Sequence, residues 1–123
     1  MLERLQGNLN KQELQPCISL ADVQELHRLS TQVKVARSLQ EYMLQLVRAT
    51  REHDEVTLGI SPRGTVALHR TTQAYAYLAG RDYAIPDDVK YLAPYVLAHR
   101  MIPTGGRRAK TIIDDLLNQV PIP

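Results

Sequence analysis

The sequence predicts an all-α fold, a bundle of four to five helices joined by short loops. Apolar residues recur at the i, i+3, i+4 spacing of a helix in several separate stretches. Proline and glycine lie between those stretches, and no alternating run is long enough to predict a strand. The chain has 123 residues, 44% hydrophobic and 23% charged, which suits one globular domain with a modest core.

The first predicted helix begins after Ser19 and ends near Ser30. Ser19 is followed three residues later by Asp22, a spacing that resembles a capping box. The apolar positions of this helix are Leu20, Val23, Leu26 and Leu29. The residues before it are polar and weakly patterned, so we predict a connector from an upstream domain over residues 1–15 and a helical domain over residues 16–123.

The second predicted helix spans about Arg37 to Arg51 and has the most regular apolar face. Six residues are expected to be buried on that face: Leu39, Tyr42, Met43, Leu46, Val47 and Thr50. The residues that follow, 52–60, are mostly polar at first and turn apolar at their end. We predict a loop there.

The third predicted helix spans about Pro62 to Ala79. Ser61 is expected to cap it through its hydroxyl, and Pro62 suits the first helical position because its missing N–H costs nothing there. Gly80 follows the helix, where a left-handed cap is expected. The predicted buried stripe consists of Gly64, Ala67, Leu68, Thr71, Ala74, Tyr75 and Leu78. Tyr77 lies on a different face and is assigned to the surface or to an interface.

The fourth predicted helix begins at Pro86, and Asp87 and Asp88 in its first turn suit the positive end of the helix dipole. Pro94 is expected to kink or divide this helix. Its apolar face consists of Val89, Leu92, Ala93, Val96 and Leu97. A flexible linker is predicted over residues 103–108. A last amphipathic helix follows, with the apolar residues Ile112, Ile113, Leu116, Leu117 and Val120.

Arg63 lies in the first turn of the third predicted helix, where a cation is misplaced. The start of a helix carries partial positive charge, and a positive side chain there costs about 0.3–1 kcal/mol. A residue that breaks a local rule often serves a site. Free backbone N–H groups, the helix dipole and a guanidinium together suit a phosphate group. The alternative is an exposed arginine that contacts only solvent or a nearby glutamate.

Other site chemistry is only weakly indicated. The four histidines form no pair at helical spacing and Cys17 has no partner cysteine, so no metal site is predicted. The adjacent aspartates at 87–88 and at 114–115 point about 100° apart on a helix and do not converge on one proton. The basic cluster Arg107-Arg108-Ala109-Lys110 is interpreted as a solvated linker, because it lies in the predicted linker and has no interleaved aromatic residues. A net charge of +2 is too small by itself to indicate nucleic acid.

The cysteine count and the hydropathy of the sequence indicate where in the cell the protein is located. A single cysteine excludes an internal disulfide and suits a reducing cytoplasm. No apolar run approaches the ~20 residues of a membrane span. We therefore predict a cytoplasmic protein without a membrane or nucleic-acid partner.

Three motifs carry a resemblance to a known family: Leu58-Gly59-Ile60-Ser61-Pro62-Arg63-Gly64, Ala79-Gly80-Arg81-Asp82-Tyr83 and Pro86-Asp87-Asp88-Val89-Lys90. In this order and spacing they resemble the C-terminal lid domain of the MoxR family of AAA+ ATPases. The segments 46–51 and 92–100 continue the match, which covers nearly the whole chain from residue 16 onward. The chain departs from the family at Ala36 and Ile85, where a capping Ser or Thr is usual, and at Gly64, which is often Ala.

The resemblance implies a helical lid packed beside an α/β nucleotide-binding domain. Arg63 would be the sensor 2 arginine that reaches the γ-phosphate of ATP, with Ser61 and Pro62 in the vicinity of the phosphates. It further implies ATP with Mg in the parent protein, chaperone-like remodelling by a ring that is usually a hexamer, and partners with von Willebrand factor A domains. No phosphate loop or acidic Mg²⁺ motif occurs in this chain, so we predict one domain of an ATP hydrolase that does not hydrolyse ATP alone.

Two other functions stay open from the residues alone. The first is a free-standing helical interaction module without a nucleotide role, in which the small residues of the third helix form a docking face and Tyr77 contacts the partner. The second is a histone-like or helix-turn-helix DNA-binding protein, in which Arg107, Arg108 and Lys110 bind phosphates in a salt-dependent way.

Overall fold

The computed structural model describes residues 14–123, so most of the predicted connector 1–15 lies outside the described residues. Within this range the chain forms five α-helices: α1 Leu20–Ser30, α2 Arg37–Glu52, α3 Pro62–Leu78, α4 Pro86–Leu97 and α5 Ala109–Gln119. A 3₁₀ turn, Ala98–Arg100, extends α4, and two short antiparallel strands, β1 Val56–Leu58 and β2 Ile102–Pro103, complete the fold. The predicted all-α bundle is confirmed.

The centre of the core is α2, and its predicted face is confirmed. All six residues expected on that face are buried. They pack mainly against α3 and α5, and they share one hydrophobic core with the buried side chains of α4. The large aliphatic side chains with no exposed surface at the centre are Leu46, Ile60, Leu68, Val89, Leu97, Ile112 and Ile113.

The first helix, α1, lies outside this core. Its capping box is confirmed, because the amide of Asp22 donates to Ser19 Oγ and the amide of Ser19 donates to Asp22 Oδ2, both at 3.1 Å. None of its residues is buried, however, so the expected apolar face does not enter the core. The segment after α1 is held by Gln73, whose amide nitrogen donates to the carbonyl oxygens of Thr31 (3.2 Å) and Val33 (2.9 Å).

The buried face of α3 differs from the predicted stripe. Its buried residues are Gly64, Leu68, Thr72, Gln73 and Ala76. The prediction that Tyr75 lies in the core is wrong, because its side chain is 37% exposed and the buried residues 64, 68, 72 and 76 form a different i, i+4 row of α3. The ring of Tyr75 instead lies 5.3 Å from the exposed ring of Tyr91. Leu78, also placed in the stripe, is 80% exposed.

Two segments predicted as loop and linker are ordered against each other. Val56 pairs with Pro103 and Leu58 pairs with Ile102 in the β1–β2 ladder. The amide of Thr104 continues the pairing by donating to the carbonyl oxygen of Glu55 at 2.8 Å. The flexible linker predicted over residues 103–108 is therefore wrong at its beginning, where backbone hydrogen bonds fasten it.

Arg107 of the predicted solvated basic cluster is exposed, but it also forms ion pairs that the sequence does not predict. Its guanidinium donates to Glu55 Oε2 at 2.8 Å and also to Asp115, so two carboxylates hold it. Those hydrogen bonds raise the pKa of Arg107 above its usual value. Pro94 lies inside α4, so of the two predicted effects of this proline, a kink or a division, the division does not occur.

Candidate functional site

The candidate site is the N-terminal end of α3. Ser61 is the N-cap residue, with φ −74° and ψ 166°, and Pro62 occupies the first turn as predicted. The predicted hydroxyl cap is wrong, because the Ser61 side chain makes no capping hydrogen bond. Its carbonyl oxygen instead accepts from the amides of Gly64 (2.9 Å) and Thr65 (3.4 Å). The backbone thus closes the first turn, and the exposed Ser61 hydroxyl is left for solvent or a ligand.

Arg63 is exposed at this end of α3. Among residues 14–123 its guanidinium forms no ion pair, so the alternative of a nearby glutamate is not realised in the described part of the chain. Its backbone amide likewise has no acceptor within that range. The structure therefore presents a free N–H group and a free guanidinium together, at the positive end of a helix of 17 residues.

The residue before this turn, Ile60, is fixed from both sides by α2. Its amide donates to Thr50 Oγ1 at 3.1 Å, and its carbonyl oxygen accepts from Arg51 Nε at 2.7 Å. Thr50 has no exposed surface, and its hydroxyl donates to the carbonyl oxygen of Val47 at 2.6 Å. Helical periodicity predicts Thr50 on the buried face but gives it no role. A buried hydroxyl requires a hydrogen-bond partner, and this requirement is the signal that the sequence offers.

Two glycines let the chain pass close to its neighbours here. A Cβ on Gly59 would lie 2.6 Å from Arg51 Cγ, and a Cβ on Gly64 would lie 2.3 Å from Ile60 Cγ2. Both distances are shorter than side chains allow without a shift. Gly64, noted as a departure from the resembled family, is therefore explained locally by the buried Ile60 side chain.

A shallow cleft of about 340 Å³ lies between α2 and α3 beside this turn. Its described lining contains two arginines, Arg48 and Arg51, and no carboxylate. Its walls are partly apolar, since the half-exposed Leu44 and Val66 contribute to them. A positively charged cleft of this kind suits an anionic group more than a cation.

The chain also departs from the resembled family at Ala36 and Ile85, which precede α2 and α4. Neither Ala36 nor Ile85 makes a side-chain cap, as the sequence indicates. The amide of Ile85 is nevertheless satisfied, because it donates to Asp88 Oδ2 at 2.9 Å. Gly80 adopts the predicted left-handed conformation, with φ 82°.

Neither a metal cluster nor a membrane span occurs in the described part of the chain. Over residues 14–123 no three His, Cys, Asp or Glu side chains come together in a way that could hold a metal ion. No helix in that range combines the length and the apolar character needed to cross a membrane.

Comparison with known proteins agrees with the sequence motifs. A family model described as "AAA lid domain" matches residues 48–119. The protein YeaC of Bacillus subtilis strain 168 is 43% identical over 115 residues, which cover 89% of this chain and 36% of YeaC. The chaperone MoxR1 of Mycobacterium tuberculosis strain H37Rv is 29% identical over 120 residues, covering 86% of this chain and 32% of MoxR1.

A solved structure shares the fold. The crystal structure of a candidate ATPase from Cytophaga hutchinsonii ATCC 33406 superposes with a TM-score of 0.84 and 27% identity, over 99% of this chain and 42% of the other. The chain spans about a third of the length of the first two curated relatives, 36% and 32%. The family model covers more than half of the chain, and MoxR proteins are among its relatives. The chain therefore belongs to the AAA lid domain family, as the C-terminal lid of a MoxR-type AAA+ ATPase.

Proposed function

We propose that this lid domain supplies Arg63 as the sensor 2 arginine of a longer ATPase. In this proposal Arg63 contacts the γ-phosphate of ATP that an adjoining nucleotide-binding domain holds together with Mg²⁺. The observation that carries the proposal is the exposed Arg63 guanidinium, which has no ion-pair partner among the described residues and extends from a fixed helix start. Ser61 and Pro62 would lie beside the phosphates.

The electrostatics of this end of α3 support the proposal. The free amide of Arg63, the positive end of the helix and the two arginines of the cleft all favour an anion. Negative charge spreads over the phosphoryl oxygens during transfer, so a guanidinium placed there stabilises the transition state more than the ground state. Arg63 would then accelerate hydrolysis and would contribute little to folding, because it is exposed.

The same contact would couple the lid to the nucleotide. When the γ-phosphate leaves, Arg63 loses its partner, and the lid is free to change its position relative to the nucleotide-binding domain. Such movements are the expected basis of chaperone-like remodelling in a ring, usually a hexamer in this family. Partners with von Willebrand factor A domains and a cytoplasmic location stay predictions from the resemblance and the composition.

The test is ATP turnover by the full-length protein that carries this domain. We expect Arg63→Ala to lower kcat about a hundredfold, the scale of removing one preorganised donor to a developing oxyanion. Arg70→Ala is the matched control, because Arg70 is also exposed on α3, two turns further along. Circular dichroism and thermal unfolding should show both variants folded like the wild type. Unchanged turnover in Arg63→Ala would refute the sensor role.

A second candidate function is protein docking in the groove between α1 and α3. The groove has a volume of about 480 Å³, and its lining includes Val23, Leu26, Ala74, Tyr77 and Leu78. Since α1 buries none of its residues, this apolar surface favours an interaction module. Leu78→Ser would then weaken ring assembly or partner binding, measured by sedimentation, while Arg63→Ala would not. The opposite pattern favours the nucleotide role.

A further inference from the structure

We propose that Thr50 and Arg51 are positioning residues for Arg63, acting through the backbone of Ile60. This inference rests on the proposed sensor role of Arg63 and names the side chains that would hold Arg63 in place. Neither residue contacts Arg63 by a described hydrogen bond. Both instead hold the peptide groups from which α3 begins.

Thr50 and Arg51 together form a clamp on Ile60, made of two hydrogen bonds to its backbone. Consecutive residues at the end of α2 take the two polar groups of one residue: Thr50 Oγ1 accepts from the Ile60 amide at 3.1 Å, and Arg51 Nε donates to the Ile60 carbonyl oxygen at 2.7 Å. Fixing both groups of Ile60 sets the orientation of the peptides on either side of it. The next residues along the chain are the N-cap Ser61 and the first turn of α3.

Packing adds a third constraint to the clamp. The Ile60 side chain has no exposed surface, so it is anchored in the core. Gly59 lies against the Arg51 side chain and Gly64 lies against Ile60 Cγ2, so the residues on both sides of Ser61 are closely packed. The first turn of α3 is thereby held on two sides.

Neither Thr50 nor Arg51 needs Ile60 as a hydrogen-bond partner for its own side chain. A threonine late in a helix can satisfy its hydroxyl by donating to a carbonyl one turn back, and Thr50 already does so with Val47. Arg51 is exposed and could remain solvated, yet its Nε contacts the Ile60 carbonyl. Catalytic groups need placement within about 0.5 Å of their productive geometry, and a misplacement of about 1 Å can cost a hundredfold in rate. A clamp on the residue before the helix provides such placement.

The first part of the test measures ATP turnover in the full-length protein with Thr50→Val and Arg51→Met. Each variant keeps the approximate size of the side chain and removes one of the two hydrogen bonds to the Ile60 backbone. We expect kcat to fall about tenfold in each, with KM for ATP changed less than about twofold, because the contact concerned strengthens in the transition state. Thr50→Ser keeps the hydroxyl and should restore most of the turnover. Arg37→Met, at the exposed opposite end of α2, should have no effect.

The second part combines each change with Arg63→Ala. If the clamp acts through Arg63, the double variants turn over as slowly as Arg63→Ala alone, because there is no longer a guanidinium to position. Multiplied losses would overturn the inference, since they would show an effect independent of Arg63. Normal turnover in both Thr50→Val and Arg51→Met, beside a large loss in Arg63→Ala, would overturn the inference and leave the sensor role standing.

Two remaining outcomes are also decisive. If Arg63→Ala itself keeps normal turnover, the sensor role fails and the clamp has nothing to position. If Thr50→Val does not fold, Arg51→Met alone tests the inference. Arg51 is exposed, so this change removes the hydrogen bond to the Ile60 carbonyl oxygen without altering the core. A normal rate in a folded Arg51→Met would then refute the clamp.

Discussion

Arg81 and Asp88 form a bidentate ion pair across the connection between α3 and α4. Arg81 Nη2 lies 2.6 Å from Asp88 Oδ1, and Arg81 Nη1 lies 2.8 Å from Asp88 Oδ2. The Asp88 side chain is only 3% exposed, and its Oδ2 also accepts from the amide of Ile85. Arg81 Nη1 donates in addition to the carbonyl oxygen of Tyr83 at 2.9 Å. One buried carboxylate thus joins the cap of α4 to the turn that follows α3.

The first prediction is that Asp88→Ala destabilises the fold. The change removes a buried charged acceptor and leaves the Ile85 amide without its partner. We expect the free energy of unfolding to fall by about 1.5–3 kcal/mol, the usual range for hydrogen bonds to charged groups. Urea unfolding followed by circular dichroism measures this difference.

Asp87→Ala is the matched control for Asp88→Ala. Asp87 precedes Asp88 in the same first turn but is exposed. Its contribution should therefore be limited to the helix dipole, about 0.3–1 kcal/mol at low salt. Equal losses in the two variants would contradict the role assigned to the Arg81–Asp88 pair.

The second prediction concerns the hydroxyl of Tyr42. The side chain is 2% exposed, and its hydroxyl has no hydrogen-bond partner among the described residues. A buried polar group without a partner costs stability, so Tyr42→Phe should leave the free energy of unfolding unchanged or raise it by up to about 1 kcal/mol. Thermal unfolding measures the change, with Tyr95→Phe as an exposed control. A clear loss of stability in Tyr42→Phe would mean that a bound water satisfies the hydroxyl.

The third prediction is a pH dependence at the same residue. Burial raises the pKa of Tyr42 above its ordinary value of about 10. A phenol with a raised pKa in the folded state keeps its full contribution to stability below about pH 10, because it is neutral in both states there. Above that pH the unfolded state ionises first, so stability falls as the pH rises toward the folded-state pKa. The difference in unfolding free energy between wild type and Tyr42→Phe should shift in favour of Tyr42→Phe above about pH 10 and stay constant below it.

How far the sequence predicts this fold depends on how regular each helix is. The apolar residues of α2 repeat with the helical period, so the sequence predicts its buried face correctly. In α3 the alanines, threonines and tyrosines surround the helix, and each tolerates partial exposure. Its period therefore indicates a helix but does not identify the buried side, which is why the prediction for Tyr75 is wrong.

Contacts between distant residues explain what periodicity cannot predict. The β1–β2 ladder joins segments of three and two residues, too short to show an alternating pattern. Arg107 reaches Glu55 across 52 positions, and Arg51 reaches Ile60 across a loop. Arg63 stands out in the sequence because it breaks a rule of its own helix. Thr50 and Arg51 break no local rule, so only the folded chain shows that both form hydrogen bonds with the backbone of Ile60.

The fourth prediction is that Gly64→Ala destabilises this domain, although alanine is the better helix former. The new Cβ would lie 2.3 Å from Ile60 Cγ2, and Ile60 has no exposed surface into which it could move. Overpacking of this kind costs about 1–3 kcal/mol, while alanine gains about 1 kcal/mol in helix propensity. We expect the free energy of unfolding to fall by up to about 2 kcal/mol, measured by urea unfolding.

Two variants separate the collision from the general effect of replacing a glycine. Gly106→Ala is the matched control, because no atom lies within 4 Å of the Cβ it would add, and it should be neutral or stabilising by up to about 1 kcal/mol. Ile60→Leu moves the branch away from Cβ and so removes the Cγ2 atom that the methyl group added at position 64 would meet. In the double variant the cost of Gly64→Ala should shrink, since the two positions are in direct contact. An undiminished cost in the Ile60→Leu background would show that Ile60 is not the obstacle.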